Sequence, residues 1–126
     1  MKNKIIHIAK KTINTEIAGL EKLSKSININ FVKAIGILKK TKGKIILTGI
    51  GKSGIIANKI SSTLSSTGSP SQFIHPSEAS HGDLGMLNKK DSIIALTFSG
   101  KTNELNDIFY YSKKNKIPLI IVTSKS

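Results

Sequence analysis

The residue types that could carry out chemistry are concentrated between Gly49 and Leu87, in a chain otherwise rich in Ile, Lys, Ser and Asn. This stretch begins with GIGKSG, ends with HPSEASHGDLGML, and holds two of the three histidines. GIGKSG fits GxGxxG, follows a short apolar run and precedes a helical pattern. That context favours an anion bound at a helix N-terminus, where unpaired N–H groups and the helix dipole converge.

The residues around the GxGxxG motif narrow the choice of anion. A dinucleotide requires an acidic residue about 20 positions further on, but this region reads SQFIH at 71–75 and contains no acid. A Walker A loop requires a glycine at position 46, where the chain has Ile46. A simple phosphate ester remains, held by backbone N–H groups, the Ser53 hydroxyl and the Lys52 ammonium. A tight strand-to-helix turn without a ligand stays open as the alternative.

A second turn rich in hydroxyl groups, SGKTNE at 99–104, follows the third predicted strand. Gly100 permits a sharp turn, and Ser99 and Thr102 offer hydroxyls to an anion. Because open α/β sheets bind ligands at the carboxyl ends of their strands, we expect the two turns to form one phosphate site. Ser and Thr also cap helices routinely, so Glu104 is either part of a capping box or an acid/base group in the cleft.

The segment from His75 to Gly85 is longer and more polar than a connection between elements requires. It contains His75 and His81 together with Glu78 and Asp83. A metal bound by both histidines and a carboxylate is one interpretation, although the spacing matches no closed zinc pattern. In the alternative interpretation, the two acidic residues cap helices or pair with lysines.

The hydrophobic pattern predicts an α/β protein that positions these turns. Apolar residues at helical spacing predict an amphipathic helix from about Lys4 to Ser24, and Asn30 is expected to cap a second helix that ends before Gly43. The other predicted elements are strands at 44–48, 72–74, 92–98 and 118–122, a turn at 49–54, helices at 53–66 and 103–116, and a polar loop with one helical turn at 75–86. Strands that are apolar throughout imply a parallel sheet covered on both faces, hence a three-layer α/β/α sandwich.

The last predicted strand ends four residues before the C-terminus. A doubly wound sheet normally continues with a helix and often another strand, so we expect the C-terminus to be truncated. The expected organisation is an N-terminal helical segment at 1–43 that packs on a partial domain at 44–126. We expect this fragment by itself to be inactive or marginally folded.

Composition limits the compartment and the partners. The chain has no cysteine, no apolar run of about 20 residues and no signal-peptide core, which predicts a cytoplasmic protein without a membrane partner. The net charge of +13 suggests nucleic acid, but all 20 basic residues are Lys and lie scattered, with only two Tyr and four Phe for stacking. We therefore interpret the lysines as solvated and expect no nucleic-acid partner.

In their order and spacing, GIGKSG, STGSP, HPSEASHGDLGM and SGKTNE resemble the sugar isomerase (SIS) domain, which is flavodoxin-like, and within it the D-arabinose 5-phosphate isomerases. The resemblance covers roughly residues 44–124. It implies interconversion of D-arabinose 5-phosphate and D-ribulose 5-phosphate through an enediol, which opens Kdo synthesis for lipopolysaccharide. Such chemistry needs a tuned acid/base group and a donor for the developing oxyanion. The resemblance also implies a homotetramer and no cofactor.

The resemblance implies roles for individual residues. Lys52, Glu104 and His81 are the predicted catalytic residues, with Glu104 as acid/base, Lys52 as charge stabiliser and His81 serving a neighbouring subunit. His75 also matches a position where a divalent metal can sit, and Lys101 stands where the family usually has an acid. The predicted substrate-binding residues are Gly51, Ser53, Gly68, Ser69, His75, His81, Ser99 and Thr102. A further glutamate and histidine of the family's acid/base set would follow residue 126.

Two other functions stay open. A non-catalytic SIS module would bind a sugar phosphate and regulate another process, but the HGDLGM segment favours the enzyme. Transcriptional regulators place a helix-turn-helix before the SIS domain, whereas the segment before Lys44 has two predicted helices and no evident recognition helix. A nucleic-acid-binding module would show binding that weakens steeply with salt.

Overall fold

The computed structural model describes residues 1–100 and 103–125. The chain divides into two compact units, Met1–Lys33 and a second unit that begins at Ala34. The predicted boundary between residues 43 and 44 stays a prediction, as does the packing of the helical segment on the domain. Within the described residues, no helix combines the length and the apolar character that crossing a membrane requires.

The first unit consists of helix α1 (Lys2–Ser26) and the start of helix α2 (Ile29–Lys40). The predicted long amphipathic helix is confirmed, and it buries none of its residues. The prediction that Asn30 caps α2 is wrong. Asn28, which precedes the helix, accepts a hydrogen bond through Oδ1 from the Asn30 N–H at 2.9 Å, and Asn30 itself is helical.

Within the described residues, the second unit contains a four-stranded parallel sheet in the order β2-β1-β3-β4. The strands are β1 (Ile45–Gly49), β2 (Ser71–Phe73), β3 (Ser92–Leu96) and β4 (Leu119–Val122). The connecting helices are α3 (Gly51–Ser66), α4 (Pro76–Ser80) and α5 (Asn106–Asn115), with short 3₁₀ helices at Asp83–Met86 and Asn103–Leu105. The predicted strands and helices are confirmed with small shifts of their ends.

Successive residues of the central strands face opposite sides of the sheet, as strand geometry requires. On one side, Leu47 and Ile94 belong to a cluster completed by Leu38, Ala57 and Leu64 from α2 and α3. On the other side, Ile46, Ile93 and Ala95 belong to a larger cluster with residues of α4, α5 and the connecting segments. The predicted three-layer α/β/α sandwich is therefore confirmed.

Two local predictions need correction. Helix α3 begins at Gly51 rather than Ser53, directly after the extended N-cap residue Ile50. Gly51 itself has a φ of +59°, a left-handed conformation that favours glycine at the point where the chain turns from β1 into the helix. The region predicted as a polar loop at 75–86 is largely helical, since it forms α4 and the 3₁₀ helix Asp83–Met86.

A buried carboxylate fastens the loop before β3 to the loop before β1. Asp91 is 5% exposed, and its Oδ1 and Oδ2 accept hydrogen bonds from the backbone N–H groups of Lys44 at 2.8 Å and Asn88 at 2.9 Å. Both bonds lie at the amino ends of β1 and β3, where they fix the entry of the chain into the sheet.

We expect Asp91→Ala to lower the free energy of unfolding by about 1–3 kcal/mol, because it removes the acceptor of two backbone donors. Lys89→Ala, an exposed change in the same loop, is the matched control and should leave stability nearly unchanged. Urea unfolding of both variants measures the difference. Equal midpoints for Asp91→Ala and the wild type would contradict the assigned role.

Candidate functional site

The parallel topology brings most of the predicted site residues to the carboxyl edge of the sheet. Strand β1 lies between β2 and β3, so the segments that leave these three strands are neighbours. They carry His75 after β2, Lys52 and Ser53 after β1, and Ser99 after β3. Glu104 lies in the 3₁₀ helix that follows the β3 turn. Thr102 and Lys101 lie outside the described residues.

The start of α3 presents backbone donors at this edge. Its N-cap residue, Ile50, provides no side-chain hydrogen bond to the helix. The first helical bond runs from the Gly54 N–H to the Ile50 carbonyl at 3.3 Å, so the N–H groups of residues 51–53 precede the intrahelical ladder. Lys52 is exposed and Ser53 half-buried in the same turn. This turn combines a cation, a hydroxyl and helix N-terminal donors, which suits an anion.

Two glycines of the motif let α3 start directly against β1. A Cβ atom on Gly54 would lie 2.5 Å from the Gly49 carbonyl oxygen, and one on Gly49 would lie 2.9 Å from the Ser53 carbonyl carbon. Because any side chain at either position would displace backbone, packing by itself requires both glycines. Packing in this turn therefore explains Gly49 and Gly54 without any ligand. An anion is favoured instead by the N–H, hydroxyl and ammonium donors beside them.

A buried threonine joins the carboxyl ends of β1 and β2. Thr48 is fully buried, and its Oγ1 donates a hydrogen bond to the Ile74 carbonyl at 2.7 Å. The Ile74 N–H donates to the Leu47 carbonyl at 2.9 Å. These two bonds fix the backbone immediately before His75.

His75 caps helix α4 with its own side chain. Its Nδ1 accepts a hydrogen bond from the Ser77 N–H at 3.2 Å and lies 2.7 Å from Ser77 Oγ. Pro76 follows at the first helical position, where proline is favoured. The Phe73 ring meets the imidazole edge-on, with a centroid distance of 6.4 Å. His81, by contrast, is the exposed C-cap residue of the same helix.

The turn after β3 is held against the end of β4. The Phe98 carbonyl accepts hydrogen bonds from the hydroxyls of Thr123 at 3.2 Å and Ser124 at 2.7 Å. Gly100 has a φ of +71°, and its N–H donates to Thr97 Oγ1 at 3.3 Å. Ser99 is exposed in this turn. Glu104 is also exposed, while its neighbour Leu105 is fully buried and anchors the 3₁₀ helix.

Gly68 and Ser69 do not join the other predicted site residues within one chain. They lie between the end of α3 and the start of β2, and Ser71 pairs with Ile45, the first residue of β1. The Ile45 N–H donates to the Pro70 carbonyl at 2.9 Å. Gly68 and Ser69 are therefore at the amino edge of the sheet, opposite Lys52 and His75.

An open groove of about 670 Å³ runs along α3 beside strand β2. Gly51 and His75 lie on its wall, so the groove adjoins the turn that carries Lys52. Among the described residues, its lining contains several donors and no acidic side chain; the lining residues are Gly51, Gly54, Ile55, Asn58, Lys59, Ser62, Thr63, Phe73 and His75. An anionic or polyhydroxylated ligand suits such a lining.

The sequence model of the SIS domain family matches residues 37–126, which is most of the chain. The chain belongs to the SIS domain family. It is 48% identical over 116 residues to an uncharacterized protein of Rickettsia prowazekii, covering 92% of this chain and 36% of the relative. It is 45% identical over 118 residues to the arabinose 5-phosphate isomerase KdsD of Pseudomonas aeruginosa, covering 94% and 36%. The chain thus spans about a third of the length of these curated relatives.

A solved structure is similar to almost the whole SIS chain. It is an Escherichia coli CFT073 protein in complex with arabinose 5-phosphate, with a TM-score of 0.89 and 39% identity over 98% of this chain and 65% of that chain. The phosphoheptose isomerase GmhA of Neisseria gonorrhoeae has a TM-score of 0.76 at 12% identity, covers 94% of this chain and 74% of its own, and shows the shared fold alone.

The SIS chain offers little support for a metal at His75. Within residues 1–100 and 103–125, no three His, Asp or Glu side chains are grouped so that they could hold a metal ion. The Nδ1 atom of His75 is engaged by Ser77. The described residues therefore do not provide a set of ligands that fits a protein-held metal.

Several residues of the candidate site were not predicted from the sequence. Thr48 interrupts the apolar pattern near the end of β1, and no other feature of the sequence indicated its structural role. Asn58, Ser62 and Lys59 recur at helical spacing on one side of α3, a signal that can equally indicate a solvated helix face. Ser77 carried no signal, since histidine is not among the usual N-cap residues.

Proposed function

We propose that the whole protein interconverts D-arabinose 5-phosphate and D-ribulose 5-phosphate. The observation that carries the proposal is the juxtaposition of Lys52, Ser53, His75, Ser99 and Glu104 along one sheet edge of an SIS chain. Support also comes from 45% identity to an arabinose 5-phosphate isomerase and 39% identity to a protein solved with arabinose 5-phosphate.

In this proposal, the phosphate group of the substrate binds at the start of α3. The N–H groups of residues 51–53, the Ser53 hydroxyl and the Lys52 ammonium provide its donors, and Ser99 adds a hydroxyl from the turn after β3. Thr102, which lies outside the described residues, is proposed as a further phosphate contact. Helix N-terminal donors and the helix dipole together favour a doubly charged phosphate ester. The sugar extends toward His75 and Glu104.

The reaction shifts two protons within the sugar, and the sugar is neither oxidised nor reduced overall. In the open-chain aldose, a base removes the proton from C2, the electron pair forms the C1–C2 double bond, and an enediolate results. Reprotonation at C1, with the O2–H proton transferred to O1, gives the ketose. Glu104 acts as the acid/base group, and Lys52 stabilises charge on the enediolate or the phosphate. His81 completes the catalytic set. The balance requires no cofactor.

We further propose that the protein is a homotetramer that completes its sites between subunits. Gly68 and Ser69 lie at the opposite sheet edge from Lys52 and reach a substrate only if they serve a neighbouring site. Helix α1 supports assembly, because its apolar side chains are exposed. The exposed residues include Ile5, Ile13, Ile17, Leu20 and Leu23.

We expect Ile13→Asp to reduce the mass of the chain in solution from the oligomer toward the monomer. Ile13 is 59% exposed, and burying such a side chain in an interface is worth about 1.5–3 kcal/mol. The neighbouring Asn14→Asp changes the charge equally without removing apolar surface and serves as control. Light scattering measures both masses. An unchanged mass for Ile13→Asp would contradict assembly through α1.

The cellular compartment and the pathway of the reaction are proposed from the resemblance to arabinose 5-phosphate isomerases. We propose that the protein acts in the cytoplasm and supplies D-arabinose 5-phosphate to Kdo synthesis for lipopolysaccharide. Both parts of this proposal rest on the 45% identity to an arabinose 5-phosphate isomerase.

An isomerisation assay of the whole protein tests the proposal. Formation of D-ribulose 5-phosphate from D-arabinose 5-phosphate, followed by ¹H NMR in D₂O, is the expected result, with exchange of the C2 proton for deuterium as the signature of the enediol. Saturable binding of D-arabinose 5-phosphate without any exchange or conversion would overturn the enzyme and favour a sensing module. Neither binding nor conversion would overturn both.

A further inference from the structure

The capping geometry at the start of α4 assigns a chemical role to His75. A backbone N–H can only donate, and the Ser77 N–H points at His75 Nδ1 from 3.2 Å. The Ser77 hydroxyl lies 2.7 Å from the same nitrogen. Nδ1 is therefore an acceptor and carries no proton. A neutral imidazole has a single ring proton, so that proton is on Nε2.

The neighbouring backbone holds the ring in this arrangement. On the N-terminal side, the Ile74 carbonyl accepts from the buried Thr48 hydroxyl at 2.7 Å. On the C-terminal side, the His75 carbonyl accepts from the Ala79 N–H at 3.0 Å, which closes the first turn of α4. The Phe73 ring packs edge-on against the imidazole at an interplanar angle of 76°. A 180° flip of the ring would place Cδ2 where Nδ1 now lies and would break the cap.

We propose that Ser77 is a positioning residue that fixes His75 as its Nε2–H tautomer, so that His75 is a hydrogen-bond donor to the ligand in the groove. An Nε2 that carries a proton has no lone pair in the ring plane. It can therefore neither remove a proton from the substrate nor coordinate a metal ion. The tautomer follows from the cap alone, while the identity of the ligand rests on the proposed function.

The donor role suits the position of His75. The imidazole lines the groove together with Gly51, the first residue of α3, and none of the groove's described lining residues is acidic. A phosphate or hydroxyl oxygen of a sugar phosphate is an acceptor that a fixed N–H can recognise. Proton transfer is then left to Glu104 and the other proposed catalytic residues, and His75 contributes orientation.

Nitrogen NMR of the whole protein labelled with ¹⁵N-histidine tests the tautomer without any substrate. The signals that disappear in His75→Asn are assigned to His75. At a pH where the rings are neutral, a two-bond ¹H–¹⁵N correlation spectrum should show His75 with a pyridine-type Nδ1 and a pyrrole-type Nε2. A pyrrole-type Nδ1, or a near-equal mixture of tautomers, would overturn the proposal.

Two variants separate the capping role of His75 from its role as a hydrogen-bond donor to the ligand. Ser77→Ala keeps the backbone N–H and should keep the tautomer. His75→Asn keeps a capping oxygen but removes the Nε2–H, so α4 should persist while affinity for D-arabinose 5-phosphate falls about tenfold, the loss of one good hydrogen bond. A mixture of tautomers in Ser77→Ala, or unchanged affinity in His75→Asn, would contradict the assignment.

Added ligands distinguish the tautomer from the proposed function. D-arabinose 5-phosphate should shift the His75 Nε2–H signal and leave Nδ1 pyridine-type, and equimolar ZnCl₂ should change neither. Conversion of His75 to a zinc-bound, proton-free Nε2 would overturn the tautomer. A correct tautomer with no response to the sugar phosphate would overturn the donor role and count against the proposed function, while the cap itself would stand.

Discussion

Glu104→Gln in the whole protein is expected to lower kcat for isomerisation about 10²–10⁴-fold, with a small change in KM. The amide keeps the size and the hydrogen-bonding oxygen of the carboxylate but cannot accept the substrate proton. Glu104 is exposed in the 3₁₀ helix after β3, and buried Leu105 fixes that turn, so the substitution changes chemistry without changing the core.

Asp107→Asn is the matched control for Glu104→Gln. Asp107 lies in the first turn of α5, where its Oδ2 accepts a hydrogen bond from the Ser80 hydroxyl at 2.7 Å. Asparagine retains an acceptor there, so the same acid-to-amide change should leave kcat nearly unchanged. Steady-state rates with D-arabinose 5-phosphate decide the matter. An equal loss in both variants, or none in Glu104→Gln, would refute the acid/base role.

Gly54→Ala is expected to destabilise the chain by about 1–3 kcal/mol or more, because overpacked contacts force backbone to move. The added Cβ would lie 2.5 Å from the Gly49 carbonyl oxygen and 3.1 Å from its carbonyl carbon. Neither neighbour is a flexible side chain, so α3 must withdraw from β1. This movement displaces the N–H groups of residues 51–53, and phosphate affinity should fall together with stability.

Gly36→Ala provides a control of opposite sign. Gly36 lies inside α2 with nothing within 4 Å of its added Cβ, so alanine should stabilise the chain by about 0.5–1 kcal/mol. Thermal unfolding of both variants measures the contrast. If Gly54→Ala were as stable as the wild type, the expected overpacking between α3 and β1 would be contradicted.

The regular part of the fold is predictable from the sequence because its signals are periodic. The continuous apolar runs of β1 and β3 predict strands that are covered on both sides, and they alternate between two core clusters. The long helix α1 follows from apolar residues at helical spacing. Element ends and α4 are less predictable, because a helix of five residues is too short to show a period.

The candidate site is partly predictable for a different reason. Lys52, Ser99 and Glu104 follow strands, and parallel strands bring such positions to one edge whatever the side chains are. Gly68 and Ser69 carry a recognisable motif, but motif order does not reveal the sheet edge on which a turn lies. The His75 cap depends on the orientation of a ring relative to one N–H group, which no spacing rule encodes.

A titration of the ¹⁵N-labelled whole protein with D-arabinose 5-phosphate, with D-arabinose as the control, tests the central claim most directly. That claim is that the carboxyl edge of the sheet binds the phosphate of a sugar phosphate. We predict saturable shifts of the amide signals of Gly51, Lys52, Ser53 and Ser99 with the phosphate ester and none with the free sugar. No shifts at these amides, or equal shifts with D-arabinose, would contradict it.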